Sequence, residues 1–363
     1  MRIRRAFPIT LAVVVVAAAV TLTVQLRKHA PPEPARLLPG ADAFLYANFS
    51  WVRKVSGSPL PAVLHDPEYE RFIQETGFEF ERDLEAVAFA VHYPASWPGG
   101  GTGGAAPEPR FSEVFVGKFD GERLTAYLKH TAQSVENYGS VDIFSIPVEG
   151  RTFRVAILSV DSVAASNHED AGVIRAMVDR SRRLASPFGG PALLRRYYKR
   201  VQLASPVWAV ARIEPSFAQF GGRSDFLPHP ADVVISVSYN PLHLPLHPGA
   251  LHLRAEALTA SADDAHALAQ KASEFLATLN RAEAAVGSPG TDADVKVFFD
   301  SLQVRQEESR ALLYATVPTG VFRKLLEAPA ETPLPGPPPA SAQPVKPQST
   351  KPGSRGPGST KAH

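Results

Sequence analysis

The chain has 363 residues, with 38 Lys and Arg against 36 Asp and Glu, a formal net charge of +2, and no cysteine. Lack of cysteine excludes disulfides, thiolate metal sites, a thiol nucleophile and a lipid-attached Cys. The balanced total hides an uneven placement: without the five basic residues of the first 28 and the four beyond Ala328, the middle holds 29 basic against 35 acidic residues, near −6. A nucleic-acid binder needs a basic folded face, so no nucleic-acid partner is expected.

Residues 1–28 predict a transmembrane anchor or uncleaved signal. Arg2, Arg4 and Arg5 precede an apolar run from Ala6 to Leu26 that carries no charge, and Arg27 and Lys28 close it. About 20 such residues at 1.5 Å rise span a hydrocarbon core of about 30 Å. Ala17-Ala18-Ala19 offers a small-residue cleavage site but lies inside the run, while Lys28 stands where a small residue is needed before Ala30, so the length argument favours a retained anchor over cleavage. The positive-inside rule then keeps the N-terminus cytoplasmic and exports the rest. Pro31, Pro32 and Pro34 predict an extended polyproline II spacer over 29–36.

The spacing of apolar residues next predicts an α+β first module over 37–185. Ala43 to Phe49, Ala86 to His92, Phe111 to Phe119 and Val141 to Ile146 have the alternation of half-buried strands. Asp120 caps a helix expected to carry Leu124, Leu128 and Val135 on one face. Phe153 to Leu158 and Val163 to Ser166 read as a hairpin, followed by a helix with Ile174, Met177 and Val178 inward and Asn167 and Asp170 capping its start.

A break at Ser186-Pro187-Phe188-Gly189-Gly190-Pro191 opens a second module over 186–327. Pro191 suits a first helical turn, and Leu194, Tyr197, Tyr198 and Val201 form the buried stripe behind it. Strands are expected at Pro206 to Ile213, Asp232 to Tyr239 and Ala250 to Thr259. Ser261 to Asp264 has capping-box spacing before a helix with Leu268, Ala272, Phe275, Leu276 and Leu279 inward. A helix from Thr291 with Val295, Phe298 and Leu302, a hairpin of Gln303 to Glu307 and Ala311 to Val317, and Val321 to Leu326 complete it. Each module is expected to be a mainly antiparallel sheet with helices packed on one face. Residues 328–363, rich in Pro, Ser, Gly and Lys, are expected to be a disordered tail, whose Lys346, Lys351, Arg355 and Lys361 read as solubilising charges, with contact to cell-wall polymers or to a groove that reads extended chains as the alternative.

The runs Asn167 to Asp179 (NHEDAGVIRAMVD) and Asp292 to Leu325 (DADVKVFFDSLQVRQEESRALLYATVPTGVFRKL) resemble elements recurring in uncharacterised, single-pass membrane-anchored bacterial envelope proteins. That resemblance implies an exported, anchored protein, and it implies no site residues or enzyme family.

Few motifs bear chemistry. Gly99, Gly101 and Gly104 match GxGxxG, but Pro107 and Pro109 and then a strand follow where a helix N-terminus would be needed to hold a phosphate, so the run reads as a connection. His243, His247 and His252, with His229 and Asp232, form the densest set of metal-ligand types. Pro241, Pro245 and Pro248 bar the helix that would pair His243 with His247, which favours loop histidines over a metal site. Glu79, Glu81 and Asp83 supply carboxylates for glycoside cleavage with nothing to distinguish them from a solvated loop. GxSxG, HExxH and the Walker lysine motif are absent.

The basic run of Arg175, Arg180, Arg182, Arg183, Arg195, Arg196, Lys199 and Arg200 against Asp179 stands out in an acidic domain. Arg182, Arg183, Arg195, Arg196, Lys199 and Arg200 are the candidate docking residues for anionic surfaces, with cations solvated at helix C-termini as the plainer explanation. The sequence assigns no catalytic, cofactor or metal residue. It points to a non-catalytic binding or scaffolding module of the cell envelope, tied to the membrane by its N-terminal helix, with an envelope protein or cell-wall polymer as partner. The alternatives are an envelope hydrolase with an unfamiliar site and docking on anionic membrane through the basic helix at 195–200.

Overall fold

A computed structural model describes residues 30–56, 65–93, 109–148, 150–182, 189–213, 229–239, 251–286 and 293–318. In chain order these form α1 (Glu33–Leu37), β1 (Ala43–Asn48), α2 (Phe49–Ser56), α3 (Pro67–Thr76), α4 (Phe80–Asp83), β2 (Leu84–His92) and β3 (Arg110–Gly117). Then come α5 (Gly121–Thr131), β4 (Ser134–Tyr138), β5 (Val141–Val148), β6 (Arg151–Ile157), β7 (Ser162–Ser166), α6 (Gly172–Arg182) and α7 (Ala192–Tyr197), which runs into a 3-10 turn at Tyr198–Arg200. The second half holds β8 (Val207–Ile213), β9 (Ala231–Tyr239), β10 (Leu251–Leu258), α8 (Ala262–Val286), α9 (Ala293–Ser301), β11 (Gln303–Glu307) and β12 (Arg310–Val317). Among the described residues no helix is long and apolar enough to cross a membrane; the expected anchor at 1–28 and the tail at 328–363 lie outside them.

All twelve strands belong to one antiparallel sheet in the order β11-β12-β10-β9-β8-β1-β2-β3-β7-β6-β5-β4. The sequence left open whether the two modules share a sheet, and here they do. The first strand of each half supplies the junction: β1 pairs with β8, Phe44 opposite Val210 and Tyr46 opposite Trp208. Both strands have an apolar alternation that leaves neither edge able to face water, and pairing them removes two exposed edges at once. The two halves also trace the same path. A three-stranded meander (β1-β2-β3; β8-β9-β10) is followed by a helical passage and a returning set of strands whose last member (β7; β12) lies beside the third.

Helices cover both faces of this sheet, a correction to the single-sided packing expected. On one face α1, α6 and α7 bury Ala35, Ile174, Met177 and Leu194 against Phe44, Ala88, Val114, Trp208 and Val210. On the other, α5 sets Leu124 and Leu128 on Phe144 and Val163, and α8 sets Leu268 and Ala269 on Ala311. The cause is visible in the strands: Ile143 and Phe144, adjacent and on opposite sides, are each 1% exposed, so β5 has no polar face to offer solvent.

Local signals explain most boundaries. Asp120 accepts the amide protons of Glu122 and Arg123 to cap α5, and Ser261 accepts that of Asp264 at the start of α8. Asp170 takes the Gly172 amide at α6, whereas Asn167 accepts the Phe111 amide across the sheet and does not cap the helix. The polyproline spacer is replaced by α1, because Pro34 sits in a first turn that has no need of its N–H and Ala35, Leu37 and Leu38 are buried. Val135 belongs to β4, half exposed, and not to the helix before it, since α5 ends at Thr131. Gly139 and Ser140, both at positive φ, close the two-residue β4–β5 hairpin as glycine-containing turns of this hand do. Phe275, expected inward on α8, is 47% exposed. Val321 to Leu326 lies outside the described residues.

Candidate functional site

The most chemically distinct region is a cleft of about 800 Å³ over the second half of the sheet. Arg196, Tyr197, Lys199 and Arg200 bound one side, from α7 and its 3-10 turn. Arg212 of β8 and Asp232 of β9 supply the floor. Leu258, Thr259 and Ala260 at the end of β10, with Glu308, Ser309 and Arg310 at the β11–β12 turn, form the opposite wall. Five cations thus line the cleft against two carboxylates.

Alternation along the strands puts these charges together. Leu258 opposes both Asp232 and Arg310, and Glu256 opposes Val234 and Leu312, so Asp232, Glu256 and Arg310 share the face that α7 covers. Glu256 is 1% exposed. Its carboxylate accepts from Arg200 at 2.5 Å, Arg310 at 3.1 Å and Arg254 at 3.2 Å. Three guanidinium groups around one carboxylate leave local positive charge, and each fork retains N–H groups beyond those spent on Glu256. Asp232 accepts the Tyr197 hydroxyl and faces Arg212 Nε at 3.5 Å. Burial and that carboxylate raise the Tyr197 pKa, so the phenol keeps its proton. Among the described residues Lys199 makes no ion pair; it is exposed at the mouth.

Of the docking residues expected from sequence, the structure brings Arg196, Lys199 and Arg200 into this cleft. Arg195 is exposed but does not line it. Arg182 lies at the end of α6 against Gly139 of the β4–β5 turn, and Arg183 is outside the described residues. Arg175 pairs with Glu136 at 2.7 Å, and Arg180 donates to the Leu38 carbonyl. Arg212, expected in an ordinary strand, and Arg310, expected in a hairpin turn, complete the cationic lining, with Arg254 behind them on Glu256. Their signal was the acid-base alternation Arg254-Ala255-Glu256 inside an otherwise apolar strand.

The expected histidine set disperses, and Asp83 is drawn away from the acidic one. His229 sits 3.4 Å from Asp264, while Asp232 is engaged with Tyr197 and Arg212. His252 lies opposite Ser238 and Asp232 opposite Leu258, six residues along β10, which is about 20 Å and too far for one ion. His243, His247 and the Gly99 to Gly104 run lie outside the described residues. Asp83 accepts the Glu79 amide and pairs with Arg82, closing the α4 turn.

A serine and histidine do meet at hydrogen-bond distance, with His92 Nε2 2.9 Å from Ser112 Oγ, itself 3.0 Å from Ser166 Oγ. Ser112 is wholly buried, so no substrate reaches it, and the chain of hydroxyls stitches β2, β3 and β7 together. Burial, with His168 nearby, pushes His92 down from 6.5 to about 4. The unfolded chain then binds this proton more readily than the folded one, so the contribution of neutral His92 is complete above about pH 6.5 and is lost as pH falls towards 4. We expect the thermal midpoint to drop less between about pH 7.5 and pH 4.5 in His92→Gln than in the parent protein; parallel profiles would contradict it. Cross-strand from Phe89, on the other face, Glu113 is pushed up to about 7 by burial.

The fold and cleft define an α+β protein built on one doubly covered antiparallel sheet, with a concave cationic surface. No family model matches the chain, and no curated protein matches it. Among solved structures, crystal forms III and I of TP0453 are similar to it at TM-scores of 0.41 and 0.39, with 10% and 9% identity over 82% and 83% of this chain and 99% and 100% of that one. At that level the likeness carries no argument about activity.

Proposed function

We propose that the protein is a non-catalytic binding module, exported and held at the membrane by residues 1–28, which takes an anionic ligand in the cleft between α7 and the β11–β12 turn. The ligand class is a small molecule or exposed group bearing phosphate or carboxylate. The observation that carries this reading is the convergence of Arg196, Lys199, Arg200, Arg212 and Arg310 on one concavity of about 800 Å³. A guanidinium fork matches the oxygens of either group in pairs, and a concave site favours a compact ligand over a flat bilayer. The Thr259 hydroxyl beside these cations is engaged with the Ser261 and Ser309 carbonyls and that of Tyr197 with Asp232, which supports reading the site as one of binding without turnover.

Calorimetry of the full chain in detergent with inorganic pyrophosphate tests this. Binding is expected at low salt and weakens as salt rises. Lys199→Glu and Arg212→Glu should each weaken it tenfold or more, on the order of 1.5 kcal/mol for a charged hydrogen bond. Arg195→Glu, outside the cleft, should leave it intact. Equal losses for Arg195→Glu and Lys199→Glu on anionic vesicles, with no pyrophosphate binding, would favour the membrane-docking alternative instead.

A further inference from the structure

Away from the cleft, a second cluster gathers where the chain enters and leaves α3. His65, Glu79 and Glu81 each bring a ligand atom within 4.8 Å of the others, and their side chains are 17%, 32% and 19% exposed. Two short elements bring them together. Asp66 and Pro67 start α3 directly after His65, and Gly77, in the left-handed region, turns the chain back so that Glu79 and Glu81 return beside it.

The surroundings of these groups are ordered as metal ligands require. Glu70 Oε1 lies 3.0 Å from His65 Nδ1. A carboxylate can only accept there, so Nδ1 holds the proton and a neutral imidazole keeps its lone pair on Nε2. Nε2 faces Glu81 Oε1 at 3.6 Å. Two acceptors facing each other repel unless a cation stands between them, either a second imidazole proton or a metal ion. The other Glu81 oxygen is already oriented: Oε2 accepts the Tyr69 hydroxyl at 2.7 Å, and that hydroxyl in turn accepts the Phe80 amide at 2.8 Å. Glu79 bonds Arg82 at 2.9 Å, but Arg82 also holds Asp83 through two hydrogen bonds, so Glu79 can turn inward without stranding the guanidinium.

We infer that His65 Nε2, Glu81 Oε1 and the Glu79 carboxylate form a divalent transition-metal site of the Zn²⁺ class. Tetrahedral Zn²⁺ with bonds of about 2.0–2.1 Å places neighbouring ligand atoms roughly 3.3 Å apart, close to the separation of Nε2 and Oε1 here. Imidazole with two carboxylates suits Zn²⁺ better than Ca²⁺ or Mg²⁺, which prefer oxygen alone. Glu70 and Tyr69 are positioning residues that fix the imidazole and one carboxylate. A bound ion ties the segment before α3 to the turn after it, independently of the anion cleft.

The test is titration of the full chain in detergent with Zn²⁺ alone, followed by calorimetry and by the thermal midpoint with Zn²⁺ or with chelator. One equivalent should bind and raise the midpoint. His65→Ala and Glu81→Gln should abolish both effects while matching the parent midpoint in chelator, which shows that they fold, and Glu70→Gln should weaken affinity by 10–100-fold. The double variant His243→Ala with His247→Ala should bind as the parent does, and pyrophosphate binding should be unchanged in every variant of this cluster. Absence of Zn²⁺ binding at micromolar concentration, or full binding retained by His65→Ala and lost in the double variant, overturns the assignment.

Discussion

Glu256→Ala should destabilise the protein by about 3 kcal/mol, lowering the thermal midpoint by roughly 6 °C or more. Glu256 is the shared acceptor of Arg200, Arg254 and Arg310 and is 1% exposed. Its removal leaves three guanidinium groups converging on an empty centre, and breaking a buried ion pair from one side typically costs about 3–5 kcal/mol. The arginine side chains are 27–30% exposed and regain some hydration, which sets the expectation at the lower end. Arg254→Ala should cost far less, because Glu256 keeps two partners. The same change that destabilises should strengthen anion binding: Arg200 and Arg310, freed of their internal acceptor, have more donors for the ligand. Denaturant unfolding and pyrophosphate calorimetry on one preparation read both effects. A stability change within about 0.5 kcal/mol would show that solvent already satisfies the three cations.

Trp208→Ala should be costlier still, about 4 kcal/mol, in the range of large aromatic truncations. Among the described residues Trp208 is the largest of the fully buried side chains. It stacks on Tyr46 at 5.5 Å across the β1–β8 junction and meets the Tyr198 ring edge-on at 5.2 Å. Because its indole N–H has no hydrogen-bond partner among the described residues, Trp208→Phe gives up no hydrogen bond and, leaving a smaller void than alanine, should cost less than Trp208→Ala. Tyr198 opens the 3-10 turn that carries Lys199 and Arg200, so the alanine variant should also bind pyrophosphate more weakly even where it remains folded. Equal costs for alanine and phenylalanine would mean that the indole N–H, and not the packed ring, holds this position.

These two residues mark the limit of what local pattern discloses. Tyr46 and Trp208 each read as members of an alternating strand, but nothing in either segment says that they stack on one another. Arg254 and Glu256 occupy the polar positions of an alternating strand, which normally face water; here α7 and its 3-10 turn cover them, so the polar face became a buried ionic centre. Glu79 and Glu81 read as carboxylates of a solvated loop and nothing drew His65 to them, although the signs that join the three were in the sequence: Asp66-Pro67 starting a helix and Gly77 ending it.

By itself the sequence determined the apolar leading run with its basic flanks, the strands at 207–213, 231–239 and 303–317, and the caps at Asp120, Asp170 and Ser261, because each depends on residues within one turn or one strand of each other. Tertiary structure alone decided that β1 would pair with β8, that helices would cover both faces, and that Arg200, Arg212 and Arg310 would share one cleft. Those outcomes turn on which distant edges and faces are buried together, and that free energy belongs to pairs of segments that neither segment encodes alone.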